Sequence, residues 1–293
     1  MNNYKALFIL LGFLIAFNLT ACRGGKNSNS LTKVALISDS RNQDASISQL
    51  KGSLLTANPS LTIIDLNHEF STTTASEASY LLEKSTRLLP AGTIVIVMLD
   101  GGFKASEKSI LIQTRNGKYY IGQDTGIFTH VMQTELVQYA VEINRPDSTT
   151  PSFIGRAFLG RDLYAPVAQQ IISGKSLEDI GTKLKEIVRL KLMTPTVLGN
   201  KINGQIIHID RFGNAITNIR PEDLPAQVKG KLLKLSFKGR IISLPFWDGN
   251  GEAPKDRIFC VLNTDGELQF SLRESSAAAT YGFKAGDIIS LQN

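Results

Sequence analysis

The chain has 293 residues, 42% of them hydrophobic and 20% charged, so it can fold as one large or two modest domains and is not a disordered polymer. Its net charge is +6. The sequence contains no Lys/Arg run interleaved with aromatic residues, which argues against nucleic-acid binding. Three His without metal-ligand spacing argue against a zinc site, and we expect no metal.

The N-terminus predicts export. Lys5 precedes the apolar run Ala6–Phe17, which is shorter than the roughly 20 residues of a membrane span and has the length of a signal-peptide core. Leu19–Cys22 then resembles a lipobox, with an uncleaved anchor and an incidental Cys as the alternative. We expect a signal peptide over 1–21, lipid attachment at Cys22, a polar tether over 22–32 and an exported protein anchored to the cell envelope, on its periplasmic side or at the cell surface.

Residues 33–192 alternate strand and helix patterns, which predicts an α/β domain with a mainly parallel sheet. The predicted strands are Lys33–Ile37, Leu61–Asp65, Thr93–Leu99 and a hairpin of Ile110–Thr114 with Lys118–Ile121. The predicted helices are Ala45–Ala57, Thr74–Leu89, Asp162–Ile172 and Leu177–Leu192. Ligands of such sheets bind at the carboxyl ends of the strands.

The pattern changes after residue 192. Residues 193–200, with Pro195 and Gly199, predict a linker, and residues 201–293 predict an all-β, barrel-like domain. Its predicted strands are Gln205–Ile209, Leu232–Phe237, Arg240–Leu244, Ile258–Leu262, Glu267–Leu272 and Asp287–Leu291.

Four carboxylates follow predicted strands of the first domain: Asp39, Asp44, Asp100 and Asp124. Carboxylates at this edge can bind the two hydroxyls of a ribose, although Asp is also common in ordinary turns. A second candidate segment, His208–Ile219, combines a carboxylate (Asp210), an aromatic ring (Phe212) and an amide (Asn214). These groups suit a small polar molecule with a flat ring.

Other chemically interesting residues have simpler interpretations. We expect Cys260 to be a small buried hydrophobe rather than a nucleophile. His208 fits a packed or hydrogen-bonded side chain, and the sequence suggests no partner for His68 or His130. Trp247 suits packing at least as well as ring stacking.

Several short segments, in order, carry a family resemblance. They are Asp39 with Asp44, Leu99–Gly102, Gln123–Gly126, Phe158–Pro166, Ile209–Asn214, Asn263–Leu268, Ser276–Ala278 and Gly286–Asp287. Through them the chain resembles the S-adenosyl-L-methionine (SAM) hydroxide adenosyltransferases, relatives of fluorinases and chlorinases, over about residues 33–293. Each motif alone is weak, and the specificity lies in their order.

The resemblance implies an N-terminal α/β domain, a C-terminal β-barrel and a homotrimer. The ligand, SAM or adenosine with no separate cofactor, would lie between one subunit's N-terminal domain and its neighbour's C-terminal domain. By the same resemblance, Asp44 would hold the ribose hydroxyls, and Asp210, Phe212 and Asn214 would contact adenine and methionine. The remaining predicted ligand-binding residues are Asp39, Asp124 and Thr264.

The family reaction is attack by a water-derived hydroxide on the ribose C5′ of SAM, giving adenosine and methionine. The resemblance places an Asp, an Arg and a His around the water, and these positions are Asp100, Glu107 and Leu159 here. Because Leu cannot orient or deprotonate water and Glu reverses the Arg charge, the sequence favours a ligand-binding protein with weak or no hydrolysis. The alternatives are a working hydrolase that uses Asp100 alone or with Glu107, and a structural envelope lipoprotein.

Overall fold

The computed structural model describes residues 32–39, 45–68, 70, 74–99, 108–144, 158–225, 228 and 231–292. The predictions for Cys22, Asp44, Asp100 and Glu107 therefore lie outside the described residues. In the part of the chain that is described, no helix combines the length and the apolar character needed to cross a bilayer. No group of three or more His, Cys, Asp or Glu within the same residues is arranged to hold a metal ion.

The N-terminal domain is built on a seven-stranded sheet in the order β2-β1-β3-β5-β4-β6-β7. Its strands are β1 (Lys33–Ser38), β2 (Thr62–Asn67), β3 (Thr93–Met98), β4 (Ser109–Thr114), β5 (Tyr119–Gln123), β6 (Val137–Ile143) and β7 (Gly181–Lys183). The four strands from β2 to β5 in this order pair in parallel, whereas β4, β6 and β7 join by antiparallel pairings. The predicted α/β class is confirmed, with a mixed sheet.

Helices cover both faces of this sheet. They are α1 (Ala45–Ala57), α2 (Ala75–Thr86), α3 (Val131–Thr134), α4 (Ala165–Ile172) and α5 (Leu177–Ile180), with a π-helical turn (Gly160–Tyr164) before α4. Every residue of β3 is buried because successive side chains enter opposite cores. Ile94 and Ile96 pack with the core that includes α1 and α4, while Val95 and Val97 pack with the core that includes α2 and α3.

The predicted helix over Leu177–Leu192 is wrong beyond Ile180. Gly181–Lys183 pairs instead with β6, and a Cβ at Gly181 would collide with the carbonyl oxygen of Glu142, so only glycine permits this approach. Residues 184–195, named here the strap, have no regular secondary structure. Leu184 and Ile187 have helix-like spacing, but they pack against the sheet from an irregular backbone.

The C-terminal domain is an antiparallel sheet of eight strands in the order β12-β11-β15-β9-β10-β14-β13, with β8 also on β9. The strands are β8 (Thr196–Leu198), β9 (Lys201–Ile209), β10 (Ala215–Thr217), β11 (Leu232–Phe237), β12 (Arg240–Pro245), β13 (Phe259–Leu262), β14 (Leu268–Ser271) and β15 (Ile288–Gln292). A 3-10 turn (Pro221–Asp223) and α6 (Ala277–Tyr281) complete the domain. A bridge between Phe246 and Cys260 nearly closes the sheet, which confirms the barrel-like prediction.

Charged groups of α2 join the two domains. Lys84 lies 2.7 Å from the carboxylate of Glu267, whose side chain is buried at 1% exposure. Arg87 pairs with Asp265, and His208 Nδ1 lies 2.8 Å from Glu77 Oε1. These contacts fix the C-terminal barrel against one helix of the α/β domain.

Candidate functional site

Asp39 lies at the carboxyl end of β1, on the edge of the sheet where ligands of α/β domains bind. Its backbone N–H donates to the carbonyl of Met98, the last residue of β3, at 3.2 Å. Asp39 is half-buried. The structure therefore places this predicted ligand-binding residue between the ends of two neighbouring parallel strands.

A chain of polar side chains leads to the same strand end. Ser38 Oγ lies 2.9 Å from His68 Nδ1, and His68 Nε2 lies 2.9 Å from Asp65 Oδ1. The Nζ of Lys51 on α1 completes the chain at 2.6 Å from Asp65 Oδ2. Although partial burial acts in the opposite direction, the bonds from His68 and Lys51 lower the pKa of Asp65. Sequence reasoning gave His68 no partner, although Asp65 is only three positions away; Ser38, at 30 positions, comes close only in the folded sheet.

Asp124 follows β5 and is buried. Its Oδ1 accepts the backbone N–H of Val188, in the strap, at 3.0 Å. Burial raises the pKa of Asp124, and this effect outweighs the opposing effects of the Val188 bond and the nearby Lys108. This predicted ligand-binding residue thus also fastens the strap.

The strap borders an open groove of about 880 Å³ beside Asp124. Its lining includes Lys108, Tyr139, Lys183 and Arg189. Lys108 pairs with Glu142 at 3.0 Å, and Lys183 Nζ lies 5.0 Å from the centre of the Tyr139 ring. The groove reaches the carboxylate of Asp124, so it adjoins the ligand edge of the sheet.

Leu159 precedes the π-helical turn before α4 and packs partly buried against an apolar core of the domain. The next residue, Gly160, sits so close to β3 that a Cβ there would collide with the sulfur of Met98. Position 159 is therefore held near Met98, the last residue of β3, which is two positions before Asp100 in the chain. An apolar side chain occupies the place where the resemblance calls for a His.

Residues 210–214, directly after β9, form a turn, named here the Phe212 turn, that is held by its own polar side chains. Asp210 Oδ1 accepts the backbone N–H groups of Phe212 and Asn214, each at 2.9 Å, and Asp210 Oδ2 accepts from Asn214 Nδ2 at 2.8 Å. Gly213 adopts φ +80°, and a Cβ there would collide with Ser276. Asp210 and Asn214 therefore shape the turn.

Phe212 is the exposed residue of this turn. Its side chain is 65% exposed, and the Arg211 guanidinium lies 4.8 Å from the ring centre. An exposed ring on a rigid turn can stack against a flat ligand. Thr264, the last predicted ligand-binding residue, is exposed in the turn between β13 and β14. Asn263 Oδ1 fixes that turn by accepting from the backbone of Asp265 and Glu267.

The described candidates thus fall into two groups. Asp39, Asp124 and Leu159 lie at the ligand edge of the N-terminal sheet, whereas Asp210, Phe212, Asn214 and Thr264 lie on turns of the C-terminal barrel. His130 and His208 belong to the boundary between the domains. His130 Nδ1 lies 3.0 Å from Ser79 Oγ, and burial lowers the pKa of His130 to about 4, so the ring is neutral at physiological pH.

Comparison with known proteins decides the family. Family models match both parts of the chain: the SAM hydroxide adenosyltransferase N-terminal domain over residues 34–181 and the C-terminal domain over residues 204–290. The chain belongs to the SAM hydroxide adenosyltransferase family. The two matches together cover more than half of the chain and include both groups of candidate residues.

Individual relatives of this adenosyltransferase family member match along most of their length. The (R)-S-adenosyl-L-methionine hydrolase of Methanocaldococcus jannaschii is 27% identical over 250 residues, covering 81% of this chain and 87% of that protein. A fluorinase of an Actinoplanes species is 26% identical over 285 residues, covering 86% of this chain and 95% of that protein. A crystal structure of an uncharacterized conserved protein from Thermotoga maritima superposes with a TM-score of 0.77 at 25% identity, covering 89% of this chain and all of that one.

Proposed function

We propose that this family member is an exported, lipid-anchored protein that binds adenosine or SAM and hydrolyses SAM weakly or not at all. In this proposal Asp44 and Asp39 hold the ribose, while Phe212 stacks on the adenine. Asp210 and Asn214 act mainly by setting the position of that ring. Cys22 carries the lipid, and Asp124 and Thr264 border the ligand.

The environment of Leu159 carries the proposal. Its side chain packs against an apolar core at the position where the family places a His. Displacement at the ribose C5′ needs little help with the leaving group, because the sulfonium leaves readily. The protein's main tasks are to orient, desolvate and deprotonate the water. A hydrocarbon side chain can neither orient nor deprotonate water, and Glu107 would repel the carboxylate of Asp100 rather than pair with it.

The proposal includes a homotrimer, which is what the family resemblance implies, with the ligand between the N-terminal domain of one subunit and the C-terminal domain of its neighbour. The backbone N–H groups of Phe212 and Asn214 both bond to Asp210 within the turn, and the Phe212 ring is exposed. A neighbouring subunit that placed its strand ends against this ring would bury it and complete the ligand site. Sedimentation analysis of the soluble body, residues 31–293, is expected to give three copies.

Calorimetry tests the binding part of the proposal. Adenosine and SAM are titrated separately into the protein, with guanosine as a control for ring specificity. The proposal predicts saturable heat with adenosine or SAM and weaker binding of guanosine. The absence of heat with both adenosine and SAM would contradict it and favour a structural envelope lipoprotein.

A working SAM hydrolase is the second candidate, because relatives that match over most of the chain carry that name. Here Asp100, alone or with Glu107, would orient the water. Chromatographic detection of adenosine after incubation with SAM separates the two candidates, since only a hydrolase accumulates adenosine over many turnovers. The exported location that we propose from the N-terminal pattern would favour the binding protein, because SAM is made in the cytoplasm.

A further inference from the structure

The carboxyl end of β1 is held from two sides. The N–H of Asp39 donates to Met98 at the end of β3, and the carbonyl of Ser38 accepts the N–H of Phe70, beyond β2, at 3.4 Å. A side-chain bond supplements the weaker second contact, because Ser38 Oγ lies 2.9 Å from the ring of His68. His68 is therefore one of the contacts that hold the end of β1 next to Asp39.

The donors and acceptors in the series Ser38–His68–Asp65 follow from the bond between Asp65 and Lys51. Asp65 accepts from Lys51, so it is an ionised acceptor and the Nε2 of His68 carries the hydrogen that it receives. In the tautomer with its hydrogen on Nε2, Nδ1 is the acceptor for the hydroxyl of Ser38. Both ring nitrogens are used, which makes it possible to bury His68 at 3% exposure.

A Ser–His–Asp sequence of bonds is also the arrangement of a nucleophilic triad, but burial argues against that role. Ser38 is completely buried, so its oxygen cannot reach a ligand in the cleft. Ser38 can instead help to hold the backbone in place, one residue before the carboxylate of Asp39 at the ligand edge. Because His68 lies in the segment after β2, it ties the ends of β1 and β2 together at the site.

We propose that His68 is a positioning residue of the ligand site: it holds the Ser38 hydroxyl and thereby fixes the end of β1 from which Asp39 projects. This inference rests on the proposed function, because it assigns a residue to the same site. His68 is buried, so in this proposal it acts through Ser38 and Asp39 and not on the ligand itself. It maintains the orientation of a carboxylate that would bind the ribose hydroxyls.

The chain supplies a matched control for this inference. Ser79 on α2 is also completely buried and also bonds a His ring, at 3.0 Å from His130 Nδ1, but it lies away from the end of β1. Ser38→Ala and Ser79→Ala each delete a buried hydroxyl that bonds a His ring, and Ser79 Oγ in addition accepts the backbone N–H of His130 at 3.0 Å. We expect both variants to melt at lower temperature, and only Ser38→Ala to lose affinity for adenosine, by about fivefold or more.

Two substitutions at His68 test the direction of the effect. His68→Phe fills the space without an acceptor and is expected to weaken adenosine binding at least as much as Ser38→Ala. His68→Asn is expected to recover part of the affinity, because its amide oxygen reaches the place of Nδ1 and accepts from Ser38. Should His68→Phe fail to fold, Ser38→Ala and His68→Asn still decide the question.

Calorimetry with adenosine and with SAM, together with a melting curve for each variant, distinguishes the outcomes. If the wild type binds ligand and both Ser38→Ala and His68→Phe bind it with the same affinity, the positioning role is overturned. The proposed function then still stands. Equal affinity in His68→Asn and His68→Phe contradicts the hydrogen-bond mechanism. If the wild type binds neither probe, the proposed function fails, and this inference fails with it.

Discussion

The hydroxyl of Tyr80 on α2 donates a 2.7 Å hydrogen bond to the buried carboxylate of Glu267 in the C-terminal barrel. The two residues are 187 positions apart in the chain, so the bond exists only when both domains are folded and docked. Burial and the neighbouring carboxylates raise the pKa of Tyr80, so the phenol remains a donor at any physiological pH. Glu267 also pairs with Lys84 and thereby anchors the barrel to the α/β domain.

Removal of this anchor should destabilise the protein strongly. Glu267→Ala leaves the buried Tyr80 hydroxyl without its acceptor and Lys84 with only its longer pair to Asp265, at 3.3 Å, and we expect a loss of about 3 kcal/mol in the free energy of unfolding. Glu252→Ala is the control, because Glu252 is exposed and its pair with Arg273 should contribute at most about 0.5 kcal/mol. Urea denaturation measures both losses, and similar losses in the two variants would refute the buried anchor.

Asp124 gives a prediction for pH dependence. Because its pKa is raised in the folded protein, the wild type loses stability as pH rises from the ordinary value of 3.8 through the folded pKa. Asp124→Asn keeps an acceptor for Val188 but carries no charge, so it lacks this loss. The stability of Asp124→Asn relative to wild type should therefore increase between pH 4 and pH 7.

Denaturation at both pH values measures this difference. Asp124→Ala is the companion variant, because it also removes the acceptor and should cost about 1–3 kcal/mol by leaving the Val188 N–H unpaired. A constant difference between Asp124→Asn and wild type across the two pH values would show that burial does not shift the titration of this carboxyl.

The Phe212 turn predicts a separation of binding from stability. Because the ring is exposed, Phe212→Ala should change the free energy of unfolding by no more than about 0.5 kcal/mol. Loss of the stacking face should weaken adenosine binding by about tenfold. Ile241→Ala removes another exposed apolar side chain, on β12, and is expected to leave adenosine affinity unchanged. Equal affinities in both variants would remove Phe212 from the site.

Gly213 tests whether the shape of that turn matters. Gly213→Ala meets both an unfavourable φ of +80° and a collision with Ser276, so adenosine affinity should fall together with a stability loss of about 1–3 kcal/mol. Gly249 also has positive φ, +90°, but its Cβ would meet nothing within 4 Å. Gly249→Ala should show the smaller stability loss and normal binding, measured by melting and calorimetry. The reverse order would contradict the packing of the turn on Ser276.

Local pattern predicted much of the fold. The helix Ala45–Ala57 agrees at both ends, because Ile47, Leu50 and Leu54 recur on one face and are all buried. The β-branched run of β3 is a strand buried on both faces, as its continuous apolar character indicates. In these elements, the apolar positions in the sequence are the positions that the fold buries.

The errors occur where distant groups decide the conformation. Leu177–Leu192 has helical spacing, but β6 pairs with Gly181–Lys183, and the side chains of Asp124 and Thr129 take the N–H groups of Val188 and Leu190. The strand β6 itself was not predicted. Such side-chain acceptors, about 60 positions away, leave no local signal.

The candidate site shows the same division. Ordered motifs indicated the family and the strand-end carboxylates, and the structure locates Asp39, Asp124 and Leu159 at one edge of the sheet. The link from Ser38 through His68 to Asp65 was missed, since its members come from two strand ends joined only in the folded sheet. The bonds within the Phe212 turn were also not predicted, because Asp210 and Asn214 were interpreted only as ligand-binding residues.

Adenosine release from SAM tests the central claim most directly. The wild type is expected to bind ligand and to release adenosine either not at all or far more slowly than the Methanocaldococcus jannaschii hydrolase assayed alongside. The double variant Glu107→Arg with Leu159→His is expected to release adenosine measurably, because it returns a cation and a base to the water. Multiple turnovers by the wild type, at a rate comparable to that of the Methanocaldococcus jannaschii hydrolase assayed alongside, would contradict the account.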